Sequence, residues 1–98
     1  MNALEIKYVS EWEDDLNWAP AQLTREFIDP KTGKKNELYC RWRHHDPWKF
    51  SIIQEPGRVF LGFGLTQADK IKDVHTHAEK LLFNYYSEHS PPQNGRGI

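Results

Sequence analysis

The nine residues Cys40 to Trp48, CRWRHHDPW, hold a thiol, two arginines, two histidines, a carboxylate and two tryptophans. Such a set could ligate a metal, pair a thiol nucleophile with a histidine base, or recognise a flat anionic ligand. Spacing argues against the first two. Cys40 and His44 share strand parity but stand about 13 Å apart on an extended chain, too far to chelate one ion. His44, His45 and Asp46 are adjacent at a turn, while His75 and His77 differ by two on a helix and face apart. None of this repeats CxxC or HExxH spacing, so no metal is expected. Cys40 has inward strand parity and reads as a small buried residue rather than a nucleophile.

Two other groups invite a catalytic reading. Glu13, Asp14 and Asp15 would do acid–base work only in a cleft, and on a short capped helix they simply favour its positive start. Gly62 and Gly64 in GFGLTQ resemble part of a phosphate-cradling turn, but Gln67 stands where a third glycine belongs. A strand bulge, or close approach of another backbone, explains two such glycines better. No catalytic residue and no cofactor is therefore expected, and the chain reads as non-enzymatic.

The elements that must position these residues are legible from periodicity. LEIKYV (Leu4–Val9) alternates as a strand. Ser10 with Glu13 three residues later has the capping-box pattern, which predicts a short helix carrying Trp12, Leu16 and Ala19 on one face and limited by Pro20. Asp29-Pro30 through Gly33 is a turn between two strands, because Asp caps it, Pro presets φ and Gly tolerates positive φ. Further turns at HHDPW and EPG lead to WKFSIIQ and RVFLGFGL. Thr66 and Asp69 open a long helix, Gln67–Ser87, with Ile71, Val74, Ala78, Leu81 and Tyr85 as its apolar stripe and Lys70, Asp73, His77 and Lys80 opposite. The expected fold is α+β: an antiparallel meander of four or five strands with the long C-terminal helix on one face, plus the short N-terminal helix. Residues 1–89 form this single domain, and the Pro- and Gly-rich residues 90–98 are expected to be a disordered tail.

Strand parity then sorts the sheet into two faces. Leu38, Cys40 and Trp42, then Trp48, Phe50 and Ile52, then Val59, Leu61, Phe63 and Leu65 point inward. Tyr39, Arg41, Arg43, Lys49, Ile53, Arg58 and Phe60 gather on the opposite face with Ser51, Gly62 and Gly64, without an acid from these segments. A register slip would exchange the faces.

Composition bounds the partners. In 98 residues, 38% hydrophobic but 13% aromatic, one core can be built from few large side chains. The net charge of −1 argues against a strongly basic nucleic-acid binder and equally against an acidic decoy of nucleic acid, yet the charge is segregated. Residues 1–24 carry one lysine against five acids, a balance of −4, and residues 25–49 carry seven Lys/Arg against four acids, +3. One cysteine excludes an internal disulfide and fits a reducing compartment. With no basic-then-apolar leader and no long apolar run, a cytoplasmic protein without membrane contact is expected.

Two functional readings follow. In the first, the chain is a regulator or inhibitor that contacts an unidentified protein partner through Trp12 and Trp18 among the acids of the N-terminal segment, or through the sheet face. In the second, the basic–aromatic face binds DNA or RNA, with Arg41, Arg43, Lys49 and Arg58 on phosphates and Tyr39 or Phe60 stacking on bases. An ordinary solvated sheet face, with Arg and Lys stems covering apolar surface, is the plainer alternative to both.

Overall fold

In a computed structural model of the chain, residues 4–16, 21–43, 47–54, 57–64 and 71–89 are described. Six strands form one antiparallel sheet: β1 (Lys7–Tyr8), β2 (Glu13–Asp15), β3 (Ala21–Ile28), β4 (Lys35–Trp42), β5 (Trp48–Ile53) and β6 (Arg58–Gly64). They run in the order β1-β3-β4-β5-β6, and β2 also pairs with β3. A single helix, α1 (Ile71–His89), covers one face. Among the described residues no helix is long and apolar enough to cross a membrane.

The short strands β1 and β2 are successive pieces of one interrupted edge. β1 lies along Phe27 and Ile28, and β2 along Gln22 to Thr24. Between them the Val9 N–H donates to the Glu26 carbonyl at 2.9 Å, and the Glu26 N–H donates to the Ser10 hydroxyl at 2.8 Å. Ser10 therefore satisfies a neighbouring strand rather than a helix start. The expected short N-terminal helix is not seen among the described residues: Glu13–Asp15 is strand, and Leu16 is half exposed. Trp18, Ala19 and Pro20 lie outside the described residues.

The β3–β4 turn is built on Asp29. Its Oδ1 accepts from the backbone N–H of Lys31 at 2.7 Å and of Thr32 at 3.3 Å, and its Oδ2 accepts from Asn36 Nδ2 at 3.1 Å. Gly33 closes the turn at φ 77°, where an L side chain would be strained, and donates to the Asp29 carbonyl. The carboxylate is buried, and these donors replace the water it loses.

The core lies between the sheet and α1. Leu23, Phe27, Leu38, Cys40, Phe50 and Ile52 meet Val74, Ala78, Leu82 and Tyr86, all fully buried or nearly so. The helix residues recur every fourth position, so the contact follows one i±4 ridge. Ile71, Leu81 and Tyr85 pack at its margins. The helix start expected at Thr66 to Asp69 falls outside the described residues, and α1 extends to His89.

Two face assignments are corrected. His77 is on the sheet side of α1, its ring 5.1 Å from that of Phe50. A Cβ on Gly64 would meet His77 Nε2 at 2.5 Å, so the close approach at this glycine is to a side chain. The second correction is in β6. Phe50 pairs with Gly62 but Ser51 pairs with Phe60, which leaves Leu61 as an extra residue. Gly62 takes φ 143° in this bulge. The parity of the strand flips there, so Gly62 and Gly64 fall opposite the inward residues Phe50 and Trp48. Phe63, expected inside, is turned out beside Phe60.

Candidate ligand-binding face

The face of the sheet away from α1 is ordered by register into rows. The first runs Asp15, Gln22, Arg41, Lys49, Phe63 across β2 to β6. The second runs Glu13, Thr24, Tyr39, Ser51, Phe60, and the third runs Glu26, Glu37, Ile53, Arg58 from β3. Charge changes sign along the first and third rows, from acids on β2, β3 and Glu37 of β4 to cations on β4, β5 and β6, while the second runs from Glu13 to the aromatic rings of Tyr39 and Phe60.

The expectation of a face free of acid is thereby corrected, since Glu37 belongs to β4 with the parity of Tyr39. Glu37 stands directly opposite Glu26. Its carboxyl pKa is raised by burial first, then by the charges of Glu26 and Glu13. A carboxyl raised on folding costs nothing below its unfolded pKa of about 4.3, and destabilises increasingly as pH rises through the folded value. Glu37→Gln is therefore expected to raise stability at pH 7 by about 0.5 kcal/mol, the scale of one like-charge cross-strand pair. Thermal melts at neutral pH and at about pH 3.5 check this, because the gain should vanish in acid.

At the other end of the first row Arg41, Arg43, Pro47, Lys49 and Phe63 line a hollow of about 420 Å³. Arg41 and Lys49 are directly paired across β4 and β5, an arrangement of like charges that costs stability unless an anion lies between them. Among the described residues none of Arg41, Arg43, Lys49 and Arg58 forms an ion pair, and the Arg41 Nε–H is buried without an acceptor. Phe60 and Phe63 are 50% and 60% exposed and meet edge to face at 5.0 Å. The Lys49 ammonium lies 5.8 Å from the Phe60 ring centre, and the Arg58 guanidinium 5.6 Å from that of Tyr39. These cation–π contacts hold the cations beside flat rings without neutralising them.

Six residues named from sequence, Tyr39, Arg41, Arg43, Lys49, Arg58 and Phe60, thus gather at one side of this face. Phe63 and Pro47 were missed. The glycines of GFG were the signal that could have found Phe63, because a bulge there reverses parity.

Trp12 goes elsewhere. It stacks on His75, ring centres 4.3 Å apart and 7° from parallel, and donates through Nε1 to Glu79 Oε2 at 2.8 Å. The same Glu79 oxygen accepts from Arg25 at 2.7 Å, and Arg25 Nε donates to the Ser10 carbonyl. The Arg25 guanidinium also lies 4.0 Å over the Tyr8 ring, and His75 Nε2 is 2.8 Å from Asp14 Oδ1. This cluster ties the N-terminal edge strand to α1. The described residues of the acidic segment lie at the sheet edge remote from Phe60 and Phe63 and do not cover the basic end of the face. Cys40 is fully buried; burial first, then Asp14 and Glu79, pushes its thiol pKa up, which keeps it protonated. Comparisons with protein-family models, with curated proteins and with solved structures found no match to this chain.

Proposed function

We propose that this protein is a small non-enzymatic binding module that holds single-stranded nucleic acid on the outer face of its sheet. The observation that carries the reading is the pair Arg41–Lys49, without an ion pair among the described residues, lining one hollow with the exposed ring of Phe63. Guanidinium and ammonium groups beside exposed rings suit a ligand that alternates phosphates with flat bases. Paired bases in a duplex offer their faces only at the ends, so single strands fit better than duplex.

The alternative, a regulator or inhibitor acting by protein contact, draws on Trp12 and Trp18 as anchors, or on the sheet face; Trp18 lies outside the described residues. Trp12 is half-buried with both its ring face and its N–H engaged. A protein partner on the basic–aromatic end would replace phosphates with its acids but would not supply stacked bases. Nucleic acid uses both features, and for that reason we favour it.

The test is a fluorescence-anisotropy titration of labelled 12-residue single strands of DNA and RNA, with a duplex of equal length, at about 50 and 200 mM salt. Saturable single-strand binding is expected, with a slope of log K against log salt near −3 if four cations meet phosphates, at about −0.7 each. Duplex should bind more weakly. Absence of saturable binding to any strand, or binding indifferent to salt, would overturn the reading.

A further inference from the structure

The described residues that line the hollow carry more positive charge than an internal phosphodiester can use. Three cations, Arg41, Arg43 and Lys49, line it, with no acid among the described lining residues. A phosphodiester carries one negative charge and leaves two free oxygens. A terminal phosphate monoester carries about 1.5 to 2 charges at pH 7 and three acceptor oxygens, which suit forked guanidinium donors.

Geometry agrees with an end rather than a through-passage. Arg41 and Lys49 sit near the same end of β4 and β5, with Arg43 just beyond β4. Past them the first row continues only to Phe63 on β6, which no further strand flanks among the described residues. Away from the hollow, toward the third row, the face offers Phe60 as a ring, then Arg58 as a single cation. The volume, about 420 Å³, matches one nucleotide-sized group, with Phe63 and Pro47 as its apolar walls.

We propose, on the reading of the face as a single-strand surface, that this hollow captures the phosphorylated end of the strand. The terminal monoester lies among Arg41, Arg43 and Lys49, the terminal base lies against Phe63, and the rest of the strand passes over Phe60 toward Arg58.

Three labelled oligonucleotides of one sequence, ending in a 5′-phosphate, a 3′-phosphate or hydroxyls at both ends, test this in the full chain. One of the phosphorylated strands is expected to bind at least tenfold more tightly than the hydroxyl-ended strand. Lys49→Ala should cut that preference to threefold or less, and Lys49→Arg should restore most of it. Saturable binding with equal affinity for all three strands would overturn the end-capture proposal and leave the single-strand reading standing. Failure of all three to bind would overturn both. A preference that survives in Lys49→Ala undiminished would place the end elsewhere and overturn the assignment to this hollow.

Discussion

Replacing Arg41 and Arg43 together by alanine is expected to weaken single-strand binding about 30- to 100-fold at low salt, as two lost charge-assisted contacts of 1 to 1.4 kcal/mol each would do. The same change should flatten the salt dependence by about 1.4 in slope, since each phosphate contact contributes about 0.7. Both effects are read in one titration series, and they separate charge contact from general damage. The fold should tolerate the change. Arg43 is exposed beyond the end of β4, and Arg41 is half-buried opposite Lys49 with its Nε–H unpaired. Lost packing of the Arg41 stem is offset by relief of the like-charge pair, so the thermal midpoint should move by only a few degrees.

Lys35→Ala supplies the control. Lys35 stands 3.7 Å from Glu26, on the acidic side of the molecule. It removes the same sort of charge from the protein, yet affinity should change by less than about threefold if binding is local rather than a matter of net charge. Equal losses in Lys35→Ala and in the double variant would mean that the basic end has no special role. An unchanged double variant would reject the face altogether.

The parts of this face differ in how far sequence could reach them. Arg41, Lys49 and Tyr39 follow from alternation because β4 and β5 pair without interruption from Glu37/Ile53 to Arg41/Lys49. The turn at Asp29 is equally readable, since three of its partners, Lys31, Thr32 and Gly33, lie within four residues. Phe63 was lost to one extra residue, Leu61, because period-2 patterns carry no memory of register past a bulge. Ser10 was misassigned for a different reason. A serine three residues before a glutamate satisfies the local rule for a helix start, but the N–H that its hydroxyl accepts comes from Glu26 on a neighbouring strand. Glu37 escapes the sequence reading as an acid on the face because the alternation there is counted only from Leu38, although Glu37 shares the parity of Tyr39. Arg25 gave no local sign at all: it interrupts the apolar positions of β3, and its carboxylate partner is 54 residues away.

That distant partner marks the largest stability effect expected outside the apolar core. Glu79→Ala should cost about 2 kcal/mol, because it strands an arginine and an indole N–H that both donate to one carboxylate oxygen. For a domain of this size the loss corresponds to a fall in thermal midpoint of roughly 8 to 16 °C. Solvent limits the figure, since the Arg25 and Glu79 side chains retain 21% and 34% exposure. The damage should be uneven. Trp12 and Arg25 hold the interrupted edge to α1, so amide exchange should accelerate most in Glu13–Asp15, and Trp12 should lose its ordered stack on His75. The double variant Arg25→Met/Glu79→Leu distinguishes a stranded charge from lost packing. Apolar side chains of similar reach remove both charges together and should recover at least half of the lost stability, because the penalty lies in leaving one partner unpaired. Were Glu79→Ala to fall within about 0.5 kcal/mol of the parent, the pair would be behaving as an ordinary surface ion pair, and the edge strand would owe its place to its ladder with β3 alone.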